Sequence, residues 1–536
     1  MKGKVLRTIA AFLCIIIGVG IFAGCGTTGT TDPAAPAPGG TTDPAAPAPG
    51  GSTGSTAELR VITIATNRNP VNLDPHNQAD MGSEAIIRHI YNSLIHRTPD
   101  GGLHPNLAKE WEYADDNMSI TVYLRDDVTW HNGDPFTAED VKFSYERQLR
   151  LPLERQYVAL MDDCTVIDPH TVRINLHTPA PGVFMTNITG ASSNIVPKDY
   201  TEKMEAEGKA LGEHPIGTGP YKFVSFTPND QVVLVRNEDY FGIPAANAGL
   251  TFKIIVDDAA RTIALETGDA DFVVEVPSAD VDRIDNDPTL ELYTFESAWM
   301  EYVCLNQTKA PFDNILVRQA IAHLVDREAI IAVAENGRAK PLYTPAGHGD
   351  MTYVDLPNLY PYDVEKAKEL LAQAGYPNGF EAEAVTVLPH RERIAVVLQQ
   401  SFEQAGINLI ITPKEMADYL EYTARGDHEI MLGSRNTAPE PESGIGPLYR
   451  STSSPDVGNR WFLRDTKIDE YFDAALLLVD LAERQPIYHQ MHRYIMEQAY
   501  TLPLYTRDGM VAYRSGLVGA EIFPFGAHFY TQLHYE

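Results

Sequence analysis

Residues 128–141 read VTWHNGDPFTAEDV and place one histidine and three acids around a single glycine. A histidine beside carboxylates is the combination that both general acid–base catalysis and metal binding use. His131, Asp134, Glu139 and Asp140 are therefore the first candidates for chemistry in this chain. An enzyme would need further groups elsewhere, and the sequence holds no GxSxG, HExxH or paired zinc spacing.

The same run also has a complete structural interpretation. Thr137 suits a helix N-cap and Asp140 the third helical position, where both satisfy free backbone N–H groups and favour the positive end of the helix. The segment 131–135 is typical of a turn, since Gly133 can adopt a positive φ and the following proline stiffens the exit. The run therefore predicts a turn and a helix, not a catalytic cluster.

Other residues that could do chemistry are scattered along the chain. His489 and His492 lie one helical turn apart and could bind a metal ion, although a solvated helix face is the alternative. The GTG at 217–219 lacks the lysine of a phosphate-binding loop. Outside the N-terminal 25 residues only Cys164 and Cys304 remain, too few for a disulfide framework, and whether they pair is left open.

The N-terminus has the pattern of an export signal. Residues 1–24, MKGKVLRTIAAFLCIIIGVGIFAG, combine a basic start with an apolar run too short to span a bilayer comfortably. FAGC at 22–25 resembles the bacterial lipobox, in which the cysteine is lipidated and becomes the first residue of the mature protein. We therefore expect a lipid on Cys25 and an extracytoplasmic protein held at the outer face of the membrane; a plain secreted protein or an uncleaved anchor is the alternative.

A linker follows the lipobox. TTDPAAPAPGG at 30–40 is repeated at 41–51, and this composition of proline, glycine and small residues has no large apolar side chain to bury. We expect residues 25–57 to form a spacer with a reach on the order of 30 Å.

The charge of the chain excludes one class of partner. The formal net charge is −31, with 73 acidic against 42 basic residues, and removing the basic signal makes it more negative. Such an excess of acid argues against nucleic acid or an anionic lipid surface as the main partner.

Hydrophobic periodicity after residue 58 predicts a mixed α/β chain. LRVITIA at 59–65 and SITVYLRD at 119–126 are typical of strands, and the segment at 221–237 of a hairpin around Pro228-Asn229-Asp230. Long helices are predicted at 315–335, 363–374, 391–405 and 483–499.

The run that contains His131 also carries a family resemblance. LRDDVTWHNGDPFTAEDVKFSYER at 124–147 resembles the signature region of the family 5 extracellular solute-binding proteins, the peptide-, nickel- and glutathione-binding subunits of ABC importers. Further segments resemble that family in the same order, and these are HPNLAKEWEY (104–113), GTGPYKFVSF (217–226), VRNEDYFG (235–242), LNQTKAPFDNILVRQAIAHLVDREAI (305–330), YDVEKAKELLAQAGYPNGF (362–380) and ERQPIYHQMHRYIMEQAYTLPLY (483–505).

The resemblance implies a two-lobed α/β periplasmic-binding-protein fold of the Venus-flytrap type. Lobe one would comprise 58–304 and 508–536, lobe two 305–507, and an extra subdomain of lobe one about 98–215. A small solute would bind between the closing lobes and be delivered to a membrane permease. The resemblance further implies a monomer with neither catalysis nor cofactor, attached to the membrane only through its lipid.

The solute is left open. In peptide-binding members an aspartate of lobe two pairs with the peptide's amino terminus; here Asn436 or Thr437 takes its place, before Glu440-Pro441-Glu442. Arg435 beside them suggests a ligand carboxylate, with a solvated loop cation as the alternative. Oligopeptides are the first expectation; nickel chelates, glutathione-like tripeptides and other small anions are alternatives within the family, and a surface-anchored hydrolase is the alternative outside it.

Four further residues are candidates for the cleft. Asn77 and Gln78 follow the LDPH loop, and Trp299 and Tyr302 precede the expected crossing into lobe two. Aromatic walls with a few polar groups suit a peptide or a small organic ligand, although each aromatic could equally be core. His76 corresponds to a histidine of nickel-binding members, but that histidine is common across the family, and no metal site is expected from it.

Overall fold

The computed structural model describes residues 59–78, 80–436, 440–526 and 528–536. The signal segment, Cys25 and the linker lie outside these residues, and so does Thr437. Within the described ranges, no helix combines the length and the apolar composition needed to cross a bilayer.

The described part contains strands and helices in alternation. The strands are β1 (Val61–Thr66), β2 (Ile95–Arg97), β3 (Leu103–Pro105), β4 (Ala108–Tyr113), β5 (Ser119–Leu124), β6 (Met161–Asp168), β7 (Thr171–Leu176), β8 (Tyr221–Thr227), β9 (Gln231–Arg236), β10 (Gly249–Ile254), β11 (Phe272–Val274), β12 (Leu290–Phe295), β13 (Trp299–Leu305), β14 (Lys340–Pro341), β15 (Glu381–Thr386), β16 (Asn408–Pro413), β17 (Ile430–Asn436), β18 (Thr501–Thr506), β19 (Gly509–Arg514), β20 (Leu517–Val518) and β21 (His534–Tyr535). The helices are α1 (Met81–Ile90), α2 (Ala138–Arg150), α3 (Pro181–Asn187), α4 (Lys198–Ala206), α5 (Asp258–Thr267), α6 (Val281–Asp285), α7 (Ile315–His323), α8 (Arg327–Ala334), α9 (Val364–Gln373), α10 (Pro389–Gln404), α11 (Met416–Arg425), α12 (Pro441–Gly444), α13 (Gly446–Tyr449), α14 (Thr466–Leu476) and α15 (Leu481–Glu497).

A seven-stranded sheet has the order β12-β19-β11-β1-β10-β9-β8, with β1 parallel to β10 and β11. Strand β1 lies at its centre because apolar residues at alternating positions reach the core on one face. Helix α1 packs on this core through Ile86, Ile87 and Ile90, the three-and-four spacing that makes one helix face apolar. The β8–β9 hairpin turns at Asn229, as predicted, with a φ of 60°.

A six-stranded sheet has the order β14-β18-β13-β17-β15-β16. Its central strand β13 is buried along almost its whole length and pairs antiparallel with β17 and β18. The single helix predicted at 315–335 was wrong: α7 ends at His323, and Asp326 caps a second helix, α8, by accepting from the N–H of Ala329. A local cap therefore interrupts an apolar pattern that looks continuous in the sequence.

The chain passes between the two large sheets twice. It leaves the seven-stranded sheet after β12 and enters the six-stranded sheet at β13, and it returns between β18 and β19. A separate four-stranded sheet, β4-β5-β7-β6, is covered by α2. Cys164 and Cys304 are buried free thiols in different core clusters, so they do not pair.

The His131 run forms the predicted turn and helix. Gly133 has a φ of 90°, and the Asp140 carboxylate accepts from the backbone N–H of Thr137 at 2.9 Å at the start of α2. The imidazole of His131 donates from Nε2 to the carbonyl of Gly219 at 3.0 Å and accepts at Nδ1 from the N–H of Gly217 at 3.3 Å. His131 thus links the turn to the segment before β8, and burial lowers its pKa to about 4.

The pH dependence of unfolding tests this role. His131 is neutral in the fold but protonates near pH 6.5 in the unfolded chain, so stability should fall as pH drops from about 6.5 to about 4. His131→Gln keeps a donor and an acceptor without titrating, and its stability should depend less steeply on pH, by up to about 1.4 kcal/mol per pH unit. Denaturant unfolding of both proteins across this range measures the difference; parallel curves would show that His131 does not contribute.

Candidate functional site

Two cavities lie where residues of the two large sheets and their connections meet. The first cavity has a volume of about 590 Å³ and is bounded by α1, β2, the loops around 187–194 and 519–532, and the end of β17. The second cavity, of about 520 Å³, is bounded by the ends of β1 and β11 and by the two segments in which the chain crosses between the sheets. Met81, Asn436 and Phe525 border both cavities, so the two are adjacent chambers of one cleft.

Arg97, at the end of β2, is the most buried cation of the first cavity, with 6% of its surface exposed. Its Nε and Nη1 have no hydrogen-bond partner among the described residues, and its guanidinium stacks 5.6 Å from the ring centre of Phe525. Burial lowers the pKa of Arg97 to about 10, with Glu440 opposing the shift, so the group stays charged at neutral pH. A charged group with unused donors in such a place favours an anion from outside the chain.

Arg435 reaches the first cavity from the opposite side, on β17 of the six-stranded sheet. Its Nη2 donates to the carbonyl of Gly444 at 3.0 Å, which fixes the side chain, while its Nε is buried without a partner among the described residues. Arg97 and Arg435 therefore present guanidinium donors to one cavity from different sheets.

Two of the three carboxylates that border the first cavity are paired with arginines. Glu84 accepts from Arg88 at 2.6 Å, and Glu440 is 1% exposed and binds the buried Arg484 through both of its oxygens, at 2.7 and 2.8 Å. The third, Glu521, is about a third exposed and lies 3.7 Å from His96, beyond hydrogen-bond distance. The buried charge that lacks a partner in this cavity is therefore cationic, which suits an anionic ligand better than an ammonium group.

Aromatic rings and amides complete the walls of the first cavity. The rings belong to Tyr91, Tyr157, Tyr240, Phe241, Phe523 and Phe529. Asn194 is 4% exposed, and its Nδ2 has no partner in the described part of the chain. Apolar walls with a few unsatisfied polar groups are typical of a small-molecule site.

Three of the residues predicted from the sequence border the cavities. Arg435 borders the first, Trp299 the second and Asn436 both, and β-sheet pairing places Trp299 directly opposite Asn436. The side chain of Asn436 donates to the carbonyl of Phe525 at 2.7 Å, a contact between the end of β17 and the C-terminal loop.

The other predicted residues lie elsewhere. Asn77 is exposed and borders neither cavity, whereas Gln78 is buried and donates to the hydroxyl of Ser192 at 3.3 Å. Tyr302 is 4% exposed and packs in the core 5.0 Å from the ring centre of Trp461, because its position on β13 faces that core. Thr437 lies outside the described residues.

The histidines singled out in the sequence have structural surroundings. His76 is buried beside an ion pair of Asp74 with Arg147, 2.6 Å apart, and burial lowers its pKa to about 4. The solvated-face interpretation was wrong for His492, which is buried 3.4 Å from the hydroxyl of Thr344. Among the described residues, no three His, Cys, Asp or Glu side chains come together as a metal-binding group.

Two arginines that border the cavities were not predicted from the sequence: Arg97 in the first cavity and Arg507 in the second. Arg97 ends a strand of only three residues, and Arg507 lies in a short connection between β18 and β19, so neither belongs to a periodic pattern or a motif. The one available signal was that Arg507 lies next to the predicted return crossing at 508.

Contacts on the rim hold the two sides of the cleft together. Ser443 donates to the side-chain oxygen of Asn187 at 2.8 Å, and Ala180 and Val183 pack against Leu476. A Cβ built on Gly182 would lie 2.1 Å from the carbonyl oxygen of Val479, so only glycine permits this approach of α3. The cleft is therefore in a closed arrangement.

Comparison with known proteins identifies relatives along most of the chain. Residues 102–456 match the family described as bacterial extracellular solute-binding proteins, family 5 Middle. Heme-binding protein A of Haemophilus influenzae is 29% identical over 82% of this chain and 86% of its own length. Glutathione-binding protein GsiB of Escherichia coli O157:H7 is 28% identical over 86% of this chain and 92% of its own.

Solved structures share the fold. HbpA2 from Haemophilus parasuis superimposes with a TM-score of 0.80 at 26% identity, covering 89% of this chain and 100% of its own. The periplasmic binding protein DppA from Helicobacter pylori, in complex with peptide STSA, gives 0.78 at 25% identity, covering 89% and 99%. These neighbours confirm the two-lobed α/β fold predicted from the sequence.

Closure can be weakened without touching the cavities. Gly182→Ala adds a methyl group against Val479, and relieving such overpacking costs on the order of 1–3 kcal/mol. We expect affinity to fall about tenfold, by the same factor for every ligand, because the open form is unaffected. Calorimetric titration with several ligands measures this.

Gly446→Ala is the matched control for this test, since a Cβ there meets its nearest neighbour at an ordinary 3.6 Å. Loss of affinity for one ligand only, or an equal loss in the control, would contradict the role of Gly182.

Proposed function

Because the chain belongs to the bacterial extracellular solute-binding proteins of family 5, we propose that it captures a small, anionic, peptide-like solute whose carboxylate is bound by Arg97 and Arg435. The protein is the solute-binding component of an ABC importer, as its sequence motifs predicted, and it works with a membrane permease. Members of the family bind solutes for transport and are not enzymes.

The guanidinium of Arg97 is the observation that carries this proposal: its Nη2 contacts the sulfur of Met351, but its Nε and Nη1 are buried without a partner among the described residues. A carboxylate bound there replaces the water that the buried group has lost, and a hydrogen bond to a charged group contributes about 1.5–3 kcal/mol. Arg435 supplies donors from the other side of the cleft. A ligand that contacts both sides favours the closed form over the open one, which is how binding drives hinge closure.

The engaged acids disfavour a ligand chosen for its free amino terminus. Glu440 is held by Arg484, Glu84 by Arg88, and Asn436 stands where peptide-binding relatives are expected to carry an aspartate. An ammonium group would therefore find amide oxygens in place of a free carboxylate. Ligands that are recognised through carboxylates fit better, and two relatives are named for glutathione and heme, molecules that each carry two carboxylates; the amino group that glutathione also carries would not be the group that this site selects.

The remaining sequence predictions enter the proposal. We infer that Cys25 carries the lipid, that residues 25–57 tether the folded part to the outer face of the membrane, and that the protein acts as a monomer. We further infer lobes at 58–304 with 508–536 and at 305–507, with a subdomain at about 98–215. The crossing between β18 and β19 supports the boundary at 507–508, whereas the first crossing precedes β13, which pairs within the six-stranded sheet, and so favours an end of lobe one before Trp299 rather than at 304.

Titration with defined ligands tests the anion site. Wild-type residues 58–536 should bind glutathione more tightly than trialanine or a nickel chelate, as measured by calorimetry. Arg97→Gln and Arg435→Ala should each weaken glutathione binding tenfold or more, by about 1.5–3 kcal/mol for a charged hydrogen bond.

Arg155→Gln is the control, because Arg155 is exposed and borders neither cavity. If both cavity variants bind glutathione as the wild type does, the anion site is wrong. If trialanine binds more tightly than glutathione, the protein is a general oligopeptide binder. If the nickel chelate binds more tightly than glutathione, it belongs to the nickel-binding branch.

A further inference from the structure

We propose that the second cavity holds a second anion subsite, formed by Arg507 stacked on Trp299, and that the solute is an elongated molecule with two carboxylates that spans both cavities. This inference rests on the proposed function and specifies its ligand: a short peptide-like molecule with a carboxylate at each end. The two subsites would lie on either side of Asn436, which borders both cavities.

Arg507 and Trp299 lie on the two segments that connect the sheets. Trp299 begins β13, and Arg507 lies between β18 and β19. The guanidinium carbon of Arg507 is 4.8 Å from the ring centre of Trp299, and Ser297 donates to the backbone carbonyl of Arg507 at 2.5 Å. Stacking uses the face of a guanidinium and leaves its edge free to bind a carboxylate through two N–H groups.

The acids of the second cavity have partners other than Arg507. Asp258 accepts from Arg261 at 2.7 Å, Asp508 lies 3.0 Å from the Lys340 ammonium, and Glu335 accepts from the hydroxyl of Tyr505 at 2.8 Å. No carboxylate of the described residues lies within 4 Å of the Arg507 guanidinium. Arg507 thus has no ion-pair partner among the described residues; unlike Arg97 it is exposed, so its guanidinium is open to a ligand that enters from solvent.

Glu275 shows how the neighbouring cation is neutralised. The backbone of Glu275 has a φ of 58°, a left-handed conformation that is strained for a residue other than glycine. In that conformation its carboxylate accepts from Asn67 at 2.8 Å and contacts the guanidinium of Arg68. Burial alone would raise the pKa of Glu275, but Arg68, Asn67 and, to a smaller extent, the charge of Arg507 hold it below its ordinary value, so the carboxylate is ionised. Arg68 is thereby occupied, and Arg507 is left for a ligand.

The wall between the cavities suits an amide. The side-chain nitrogen of Asn436 is used by Phe525, while its oxygen is buried without a partner among the described residues. A ligand passing from one cavity to the other could donate an N–H group to this oxygen. A peptide bond between two terminal carboxylates has that arrangement, whereas a compact monoanion would reach only one subsite.

Double-mutant cycles between protein and ligand test the second subsite. The probes are glutathione and its two monoamides, one neutral at the glycine carboxylate and one at the glutamyl α-carboxylate, with Arg507→Gln and Arg97→Gln as variants. We expect the wild type to bind each monoamide at least tenfold more weakly than glutathione. Arg507→Gln should bind glutathione about tenfold more weakly than the wild type does. For one of the two monoamides, the one that lacks the carboxylate bound by Arg507, the variant and the wild type should have the same affinity. Arg97→Gln should show the same pattern with the other monoamide.

Arg393→Gln is the matched control, since Arg393 borders the same cavity but directs its Nε and Nη2 to the carbonyls of Val333 and Ala334. The affinity of Arg393→Gln for glutathione should stay within twofold of that of the wild type. A loss as large as that of Arg507→Gln would mean that only the overall positive charge of the cavity matters, and it would overturn the subsite.

The outcomes separate this inference from the proposed function. If Arg507→Gln weakens the binding of all three probes by the same factor, the second subsite is wrong and the anion site stands. The same conclusion follows if Arg507→Gln leaves all three affinities unchanged while Arg97→Gln still couples to one carboxylate. If neither variant couples to either carboxylate, or the wild type binds none of the probes, both are wrong.

Discussion

A guanidinium removed from water without a carboxylate to receive it raises the free energy of the protein, and this cleft holds such groups on both sides. Arg97 is held by β2 of the two-stranded β2–β3 sheet and Arg435 by β17 of the six-stranded sheet. Closing the cleft without a ligand brings these like charges into one cavity. A bound anion reverses the sign of that interaction, so the same residues that oppose empty closure favour liganded closure.

The Glu440–Arg484 pair keeps the anion site free. Glu440 lies near Arg97 and could neutralise it, but both of its oxygens accept from Arg484, and the two side chains are each 1% exposed. Burial raises the pKa of Glu440 despite the opposing effect of Arg484, and the contact of both Glu440 oxygens with Nη1 of Arg484 holds the carboxylate at the start of α12. Removing either partner would leave a buried charge, which typically costs 3–5 kcal/mol. The pair therefore acts as scaffold, and the ligand supplies the charge that Arg97 lacks.

The fold could be predicted from the sequence because its signals are local or repeated along the chain. Caps such as Thr137 with Asp140 are readable from two residues, and the family motifs recur in order. The residues of the cleft were harder to predict from the sequence, because whether an aromatic side chain faces a cavity depends on the register of its strand. Trp299 and Tyr302 lie three residues apart on β13, yet only Trp299 borders a cavity. Arg97 could not be predicted for a different reason. It is a candidate because two of its donors lack a partner in the folded protein, among the described residues, and a sequence does not show which side chains will be near it.

Placing a ligand group at the chain crossings has a mechanical consequence. Arg507 and Trp299 lie on the two segments about which the lobes must rotate, so a carboxylate bound there moves little during closure. Arg435 pairs with Met300 of β13, next to Trp299, whereas Arg97 lies on β2, away from these segments. A ligand that reaches only the crossings and Arg435 would bind without strongly favouring closure. A ligand whose second anionic group also reaches Arg97 gains that contact only in the closed form, so the length of the solute determines how strongly binding favours closure.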